Sequence, residues 1–414
     1  VGQLGTEQMS GVAIVNQLIF VYNLAVFGAV SAASIFGAQY FGKGNHKGHM
    51  YSFRFKLYAA LTVTALTILL FVAKGESLIS LYLTDTSGSG ATGAALQYGL
   101  QYLIIMMAGL IPFAVNQSYA TNIKETGQTL LPMIASFVAV GSNAILDYLL
   151  IFGIGPFPEL GVQGAALATV IARYIEALMI IIWAHGHREK NRYLKGAYTG
   201  FGIPTDELKA IIIKGLPLMM NEVLWAAGMT AVIQCYSIRG LEVVAGLNIA
   251  TTITNLFNII YLQLGACISI VVGQYLGAGE LEKAKDADNK MIVFSVFCCV
   301  IVAVCMLFMG RFFPQIYNTS EEIRALATRF IAVSAIIMPF CSFSHASYFT
   351  LRSGGKTMVT FLFDSVFTWI VVVPTAFLLA HFTGLGIVSV YFLVQATELI
   401  KVVIGYFMVH SNVW

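Results

Sequence analysis

Seven ionisable side chains lie inside stretches of sequence that are otherwise almost entirely apolar. The five acids and two bases are Asp147, Glu176, Glu222, Asp364 and Glu398 with Arg173 and Lys401. A charge surrounded by hydrocarbon is costly, so each of these groups needs a partner, water or a function. Burial favours the neutral form of a carboxyl group, so a proton and a cation can compete for the same oxygens. The chemistry that these residues suggest is reversible binding of protons and cations.

The composition identifies the surroundings of these residues as a membrane. The 414 residues are 58% hydrophobic and only 10% charged, and the mean hydropathy of +0.80 lies well beyond the averages of soluble domains. The net charge of +3 is small and scattered, which excludes nucleic acid as a partner. The six cysteines lie in or beside apolar segments without metal-type spacing, and no nucleophile or nucleotide motif is visible. We therefore expect no catalytic residue, no metal, no cofactor and no enzymatic activity.

Eleven apolar stretches are long enough to cross about 30 Å of hydrocarbon as helices. They cover residues 12–37, 53–73, 98–122, 130–152, 162–184, 211–237, 245–272, 290–310, 326–350, 358–381 and 385–409. Strand-length alternation is absent, which argues against a barrel. The predicted fold class is an all-α membrane protein.

The two halves of the chain are related in sequence. Residues 37–44 (GAQYFGKG) are echoed by residues 272–279 (VGQYLGAG), and Pro112 and Gly127 find counterparts in Pro339 and Gly355. A duplicated bundle is typical of transporters that bind ligands between two related halves. We predict an N-terminal lobe over residues 1–190, a cytoplasmic linker over 191–209 and a C-terminal lobe over 210–414.

The basic residues predict an orientation. If the segments alternate across the bilayer, sixteen Lys and Arg residues fall on one side and five on the other, so the first side is cytoplasmic. This places the C-terminus in the cytoplasm and residue 1 outside, in a multi-pass protein of the plasma (inner) membrane. At a repeat offset of 235, Val1 corresponds to Tyr236, so the helix over 211–236 lacks a partner in the first half. We therefore expect one further helix before Val1, twelve in all.

Several motifs resemble those of one transporter family. The motifs are Val1-Gly2-Gln3-Leu4-Gly5, the paired Gln-Tyr-Phe/Leu-Gly-x-Gly ends, Thr126-Gly127-Gln128-Thr129, the stretch from Asn143 to Gly153 and Leu160-Gly161-Val162-Gln163-Gly164-Ala165-Ala166. They resemble the multidrug and toxic compound extrusion (MATE) transporters over essentially the whole chain. The resemblance implies two six-helix lobes around a cleft, acting as a monomer in the lipid bilayer. It also implies export of small, often cationic organic substrates against entering protons or sodium ions.

Glu222 is the first candidate for the coupling and substrate site. It lies about 11 residues into its predicted segment, roughly 16 Å deep and near the middle of the bilayer. Asn221 and Trp225 lie beside it, and the family often carries an acid on this helix, so the resemblance gives Glu222 the same role. The alternative is a neutral carboxyl group hydrogen-bonded to a neighbouring helix. We expect Glu222→Gln to stay folded and to abolish ion-driven efflux.

Asp364 and His345 are the second candidates. Asp364 lies about 7 residues inside its predicted helix, roughly 10 Å from its cytoplasmic end. Some relatives carry an acid on the preceding helix, where this chain has His345, so Asp364 or His345 could substitute for it. The alternative role for His345 is packing between helices; its functional role would be a proton relay.

The remaining charges form a pattern across the repeat. At an offset of 225, Arg173 aligns with Glu398 and Glu176 with Lys401, so each lobe carries an acid and a base three residues apart. Such a pair shares one helical face and can neutralise itself within the helix. The alternative is a four-residue network that rearranges during transport.

A third set of polar residues could line the cleft or pack between helices. The set comprises Asn23, Asn255, Asn258, Gln263 and Asp147. Polar side chains often hold membrane helices together, so packing is as compatible with their positions as a cleft. Asp147 near the outer end of its segment resembles a capping or packing group, although some relatives use an acid in this lobe for protons.

Two other functions compete with drug export. A flippase for lipid-linked precursors would need a strongly cationic cavity, whereas here Arg173 and Lys401 each lie beside an acid. An ion channel would need a symmetric pore with rings of carbonyls or charges, and none is visible in a single chain with two related halves.

Overall fold

The computed structural model describes residues 6–82, 89–200, 202–411 and 414, which form helices and connections without a strand. The stretch Val1–Gly5, which contributes to the family resemblance, lies outside the described residues. The chain divides into two compact units. Unit 1 comprises the described residues up to Phe41 together with Asn45–Ile211, and unit 2 comprises Gly42–Gly44 and the residues from Ile212 onward.

Unit 1 is helical, with long helices joined by short connections. Its helices are α1 (Thr6–Gly42), α2 (His46–Ser80), α3 (Ser89–Ala108), α4 (Leu110–Glu125), α5 (Leu130–Phe152) and α6 (Val162–Gly186), followed by a 3-10 turn at Arg192–Leu194. Helix α6 packs against α3, α4 and α5, and α2 packs against α3 and α4. Glycines permit some of the closest approaches. A Cβ at Gly11 of α1 would lie 2.5 Å from the carbonyl oxygen of Ala95 in α3.

Unit 2 is also helical, with long helices followed by several short ones. Its helices are α7 (Thr205–Ser237), which begins at the end of unit 1, α8 (Leu241–Ala278), α9 (Leu281–Met309), α10 (Glu321–Ser353), α11 (Thr357–Phe361), α12 (Val373–Phe382), α13 (Ile387–Ala396) and α14 (Glu398–His410). Helix α10 is central and packs against α8, α9, α13 and α14. Two π turns, Leu362–Val366 and Thr368–Val372, join α11 to α12 and make Thr357–Phe382 one span.

The predicted number of membrane spans is confirmed. The described residues contain ten helices that are long and apolar enough to cross a membrane, and the bent pair α3–α4 makes an eleventh span. The helices extend beyond several predicted limits, since α2 starts at His46 and α9 at Leu281. Helix α7 starts at Thr205, inside the predicted linker. The division into lobes and linker stays a prediction.

The bend between α3 and α4 has a local cause. The two helices meet at 43° around Gly109. Pro112 has no amide hydrogen to donate to the carbonyl of Ala108, and the Tyr174 hydroxyl donates to that carbonyl instead, at 3.3 Å. The Tyr174 hydroxyl, from α6, thus replaces the backbone hydrogen bond that Pro112 removes from the helix.

The segment after α6 is tied to α2 by one arginine. Arg54 donates to the carbonyl oxygens of Ala197 at 2.9 Å, Gly202 at 2.7 Å and Gly196 at 2.6 Å. Its side chain is buried. In the same segment, burial raises the pKa of the Tyr193 hydroxyl well above its usual value, so this phenol stays neutral.

Candidate functional site

Asp364 lies at the centre of a polar cluster in unit 2. It belongs to the π turn Leu362–Val366, and π turns inside helices are frequent at functional sites. One carboxylate oxygen, Oδ1, accepts a hydrogen bond from the Lys401 ammonium at 2.9 Å. The other, Oδ2, accepts one from the side-chain amide of Asn221 at 3.0 Å. Both oxygens of this carboxylate are therefore engaged by donors from other helices.

Asn221 is fixed in orientation by its other contacts. Its Oδ1 accepts from the backbone N–H of Ser365 at 3.2 Å and lies 2.7 Å from the Ser365 hydroxyl. Because the backbone group can only donate, the amide nitrogen must point the other way, toward Asp364 and the Tyr348 hydroxyl, 3.4 Å away. Asn221 thus connects α7 to the π turn and to α10. It is buried beside Asp364 and acts there as a positioning group.

Lys401 carries the positive charge of the cluster. Its Nζ lies 2.9 Å from Asp364 Oδ1 and 3.7 Å from Glu398 Oε1, and its side chain is only 7% exposed. The predicted pairing of Glu398 with Lys401 within one helix is therefore present. The pair is joined by Asp364 from another span, which the repeat pattern alone does not indicate.

Glu222 lies next to this cluster, near the middle of the 33-residue helix α7. Its carboxyl group forms no hydrogen bond or ion pair with the described residues, so the alternative of a carboxyl hydrogen-bonded to a neighbouring helix is not observed. The charges that act on it are those of Arg352 and Asp364. Trp225, one turn further along α7, is 38% exposed. Glu222 is thus a half-buried acid without a hydrogen-bond partner.

His345 is committed to contacts within unit 2. Its Nδ1 lies 2.9 Å from the carbonyl oxygen of Cys341 one turn earlier, which requires Nδ1 to carry a hydrogen. The ring packs on Tyr261 with 4.6 Å between centroids. These contacts match the packing role, and Nε2 is left as the nitrogen that could exchange a proton.

Asp147 lines a cavity of about 440 Å³ in unit 1. The polar groups of the cavity wall come from Asn16, Tyr102, Asp147 and Thr169. Asp147 Oδ1 is buried and has no hydrogen-bond partner among the residues that the structure describes. The Tyr102 hydroxyl donates to Asn16 at 3.3 Å, and Asn143, one turn before Asp147, donates to Thr169 at 3.4 Å. The arrangement provides one acid in a space with neutral polar neighbours.

Arg173 and Glu176 do not form the predicted pair within their helix. Arg173 donates to the carbonyl oxygen of Gly109 at 3.2 Å and lies 5.0 Å above the ring of Phe113. Glu176 accepts a hydrogen bond from the hydroxyl of Ser136 in α5 at 2.6 Å. Arg173 thus binds a carbonyl oxygen at the bend between α3 and α4, and that oxygen also accepts a hydrogen bond from the backbone N–H of Phe113 at 3.4 Å. The carboxylate of Glu176, three residues away, is therefore not the main partner of Arg173.

The candidate cleft residues differ in their surroundings. Asn23 of α1 has a buried Oδ1 without a hydrogen-bond partner. Asn255 and Gln263 lie exposed on α8, and Asn258 is half-buried on the same helix. Their role as cleft residues stays a prediction.

A family model named MatE matches residues 1–149 and 217–378, well over half of the chain. The chain belongs to the MatE family. The membership predicted from the motifs is thus confirmed, and this MATE protein is by family a transporter.

Relatives of this MATE protein are similar along almost its full length. A Thermotoga maritima protein named "Probable multidrug resistance protein NorM" is 24% identical over 94% of this chain and 82% of its own. A Bacillus subtilis protein named "Probable multidrug resistance protein YoeA" is 23% identical, over the same shares of the two chains.

Solved structures share the fold. An outward-facing multidrug resistance MATE transporter of the MOP superfamily aligns with a TM-score of 0.86 and 19% identity, over 100% of this chain and 89% of its own. A MOP superfamily transporter from Pyrococcus furiosus aligns with a TM-score of 0.87, also at 19% identity and over the same shares. The predicted all-helical MATE-like fold is therefore confirmed.

Unit 1 of the MATE chain contains a buried polar cluster that was not predicted from the sequence. Lys56 of α2 donates to Glu125 Oε1 and to Asn122 Oδ1 of α4, both at 2.5 Å. His49 Nε2 lies 3.3 Å from Glu125 Oε2 and 3.1 Å from the amide nitrogen of Asn122. Lys56 and Glu125 are both fully buried. We call these four residues the α2–α4 cluster.

One glycine makes room for the α2–α4 cluster. A Cβ at Gly37 would overlap Glu125 Oε2, so any other residue at this position of α1 would force the Glu125 side chain to shift. Gly37 opens the repeated stretch of the sequence, where the second half has Val272. The sequence spacing that could have indicated the cluster is a weak signal. His49 and Lys56 are two turns apart on one face of α2, and Asn122 and Glu125 are one turn apart on α4.

Proposed function

We propose that this protein is a secondary active antiporter that exports organic cations in exchange for protons by alternating access. The observation that carries the proposal is Asp147, an acid in a cavity of about 440 Å³ whose buried Oδ1 has no hydrogen-bond partner within the described part of the chain. A carboxyl group without a cation nearby is neutralised by a proton when burial makes the charged form costly. The names of the relatives support drug export as the direction of transport.

Glu222 is proposed as the acid that meets the substrate. It is half-buried, forms no hydrogen bond with the described residues, and lies one turn from the partly exposed ring of Trp225. An acid beside an aromatic face is a favourable environment for an organic cation. The two ligands of the antiporter would then meet different acids, the proton in unit 1 and the cation in unit 2.

The orientation and assembly belong to the same proposal. The protein acts as a monomer in the plasma membrane, without a bound cofactor and with its C-terminus in the cytoplasm. The unequal distribution of Lys and Arg residues supports this orientation.

Proton-driven transport can be tested with purified protein in liposomes under separately imposed proton and sodium gradients. We expect a cationic dye to move uphill when a proton gradient is imposed, and not when a sodium gradient of equal size replaces it. Uphill movement under the sodium gradient alone would contradict proton coupling. Ion current without any exchange of dye would indicate a channel instead.

Replacing Glu222 by glutamine is expected to abolish uphill movement of the cationic dye under the proton gradient. The amide keeps the shape of the side chain and removes the charge that attracts the cation. Dye uptake into liposomes measures the effect, with Glu242→Gln as the control because Glu242 is an exposed acid in the first turn of α8. Undiminished dye movement by the Glu222 variant would remove this residue from the mechanism.

A further inference from the structure

The Lys401 ammonium is surrounded in the way that a bound cation would be. Asp364 Oδ1 lies 2.9 Å from Nζ and Glu398 Oε1 lies 3.7 Å from it. The ring centroids of Phe363 and Phe367 lie 5.4 Å and 5.9 Å from the same nitrogen. Two acids and two aromatic faces are the groups that recognise a monovalent cation. We call these four residues the Lys401 cage.

We propose that Lys401 is a tethered cation, which occupies the position between Asp364 and Glu398 that a sodium ion would otherwise take. The proposal deepens the proposed antiport function, and the role of Lys401 in transport rests on that function. It explains why unit 2 would need no sodium: its cation-binding oxygens are already filled by the chain itself.

The charges around the cage favour permanent occupation. Two carboxylates close together within a helix bundle repel each other unless a cation lies between them. Lys401, on α14, supplies that cation. It lies one helical turn from Glu398, so the helix keeps the ammonium near that carboxylate. The second oxygen of Asp364 is bound by Asn221, so neither oxygen is left without a donor. A sodium ion could bind only by displacing an ammonium that cannot diffuse away.

The same geometry predicts what happens when the ammonium is removed. Lys401→Ala leaves two acids, two ring faces and the space of the lysine side chain. Neutrality can then be restored by protons on the two acids or by an ion from solution, and we expect sodium to take the position because it is a small and abundant cation. The residue that excludes sodium from the wild-type protein is therefore Lys401 and not the acids around it.

Binding of radioactive sodium to the purified protein tests this directly and requires no transport. We expect no saturable sodium binding by the wild type or by Lys401→Arg, and one sodium ion per protein for Lys401→Ala. The double variant Lys401→Ala with Asp364→Asn is the matched control, which should lose the new binding. Asp364-dependent sodium binding by the wild type would overturn the proposal, as would a folded Lys401→Ala protein that binds no sodium.

Folding of Lys401→Ala gives a second readout. If this variant folds only when sodium chloride replaces choline chloride, sodium has replaced the ammonium and the proposal stands. If it fails to fold in both salts while the double variant folds, sodium cannot take the position of the ammonium and the proposal is wrong. If the wild type showed no proton-driven transport, the proposed antiport would be contradicted. The proposal for Lys401 would be unaffected, since the sodium measurements are made without a gradient.

Discussion

The Asp147→Asn variant is expected to lose all uphill transport of a cationic dye and to keep its fold. Asparagine has the size of the aspartic acid side chain but cannot take up and release a proton. The cavity with Asn16, Tyr102 and Thr169 would then hold a permanently neutral group. Uphill dye movement driven by a proton gradient should fall to the level of empty liposomes. Exchange of labelled for unlabelled dye without a gradient should continue, because it needs no net proton movement.

Glu176→Gln is the matched control for this variant. Glu176 is another acid of unit 1, and its carboxylate accepts a single hydrogen bond from Ser136 in an exposed position. We expect proton-driven transport by this variant to stay near the wild-type rate. If Asp147→Asn still concentrates the dye under a proton gradient, the proton binds elsewhere and the role of the unit 1 cavity must be abandoned.

The spans could be predicted because an apolar stretch is a local property of the chain. Their ends could not, since several helices continue past the hydrocarbon as polar segments. Around the predicted start of α9, ion pairs join residues one turn apart, such as Lys285 with Glu282 at 3.4 Å and Lys290 with Asp286 at 2.6 Å. Such pairs stabilise a helix in water, where hydropathy gives no signal.

The candidate site shows the same division between local and distant contacts. The pairing of Glu398 with Lys401 follows from a spacing of three residues on one helix. Asp364, which lies nearer to Lys401 than Glu398 does, is 37 positions away in sequence and reaches it only through the packing of two spans. The pairing of Arg173 with Glu176 was predicted from the same spacing and is wrong, because the bend at Gly109 offers a carbonyl oxygen that the sequence pattern does not reveal.

The internal repeat preserves positions more faithfully than charges. At the offset of 228 that aligns Gly127 with Gly355, Asn122 corresponds to Thr350. Asn122 binds the base Lys56 in unit 1, whereas the Thr350 hydroxyl donates to the fully buried acid Asp288 in unit 2, at 2.5 Å. Helix α4 in unit 1 and helix α10 in unit 2 thus each hold a buried ionisable group on an earlier helix, with the sign of the charge reversed. Repeat alignment could place the contact but could not give its chemistry.

The Lys56→Met variant is expected to lose about 3–5 kcal/mol of unfolding free energy, the typical cost of leaving one member of a buried ion pair alone. Glu125 is fully buried, and the variant removes the ammonium that donates to its Oε1 while His49 stays 3.3 Å from its Oε2. Unfolding by denaturant in detergent micelles measures the loss. Replacing both partners, as Lys56→Met with Glu125→Leu, should recover most of it, because an apolar pair of similar size often matches a buried ion pair in stability.

Lys283→Met provides the exposed comparison. Lys283 pairs with Glu280 at 3.0 Å, close to the distance in the buried pair, but the two side chains are 66% and 43% exposed. Water screens that pair, so its loss should cost less than about 1 kcal/mol. The contrast compares the loss of a buried ammonium with the loss of an exposed one. Each variant removes one ammonium from one carboxylate, and Lys56→Met also removes the hydrogen bond to Asn122. Equal losses of unfolding free energy for Lys56→Met and Lys283→Met would mean that the α2–α4 cluster contributes no more to stability than a surface ion pair. The space that Gly37 leaves for the cluster would then bring no gain in stability.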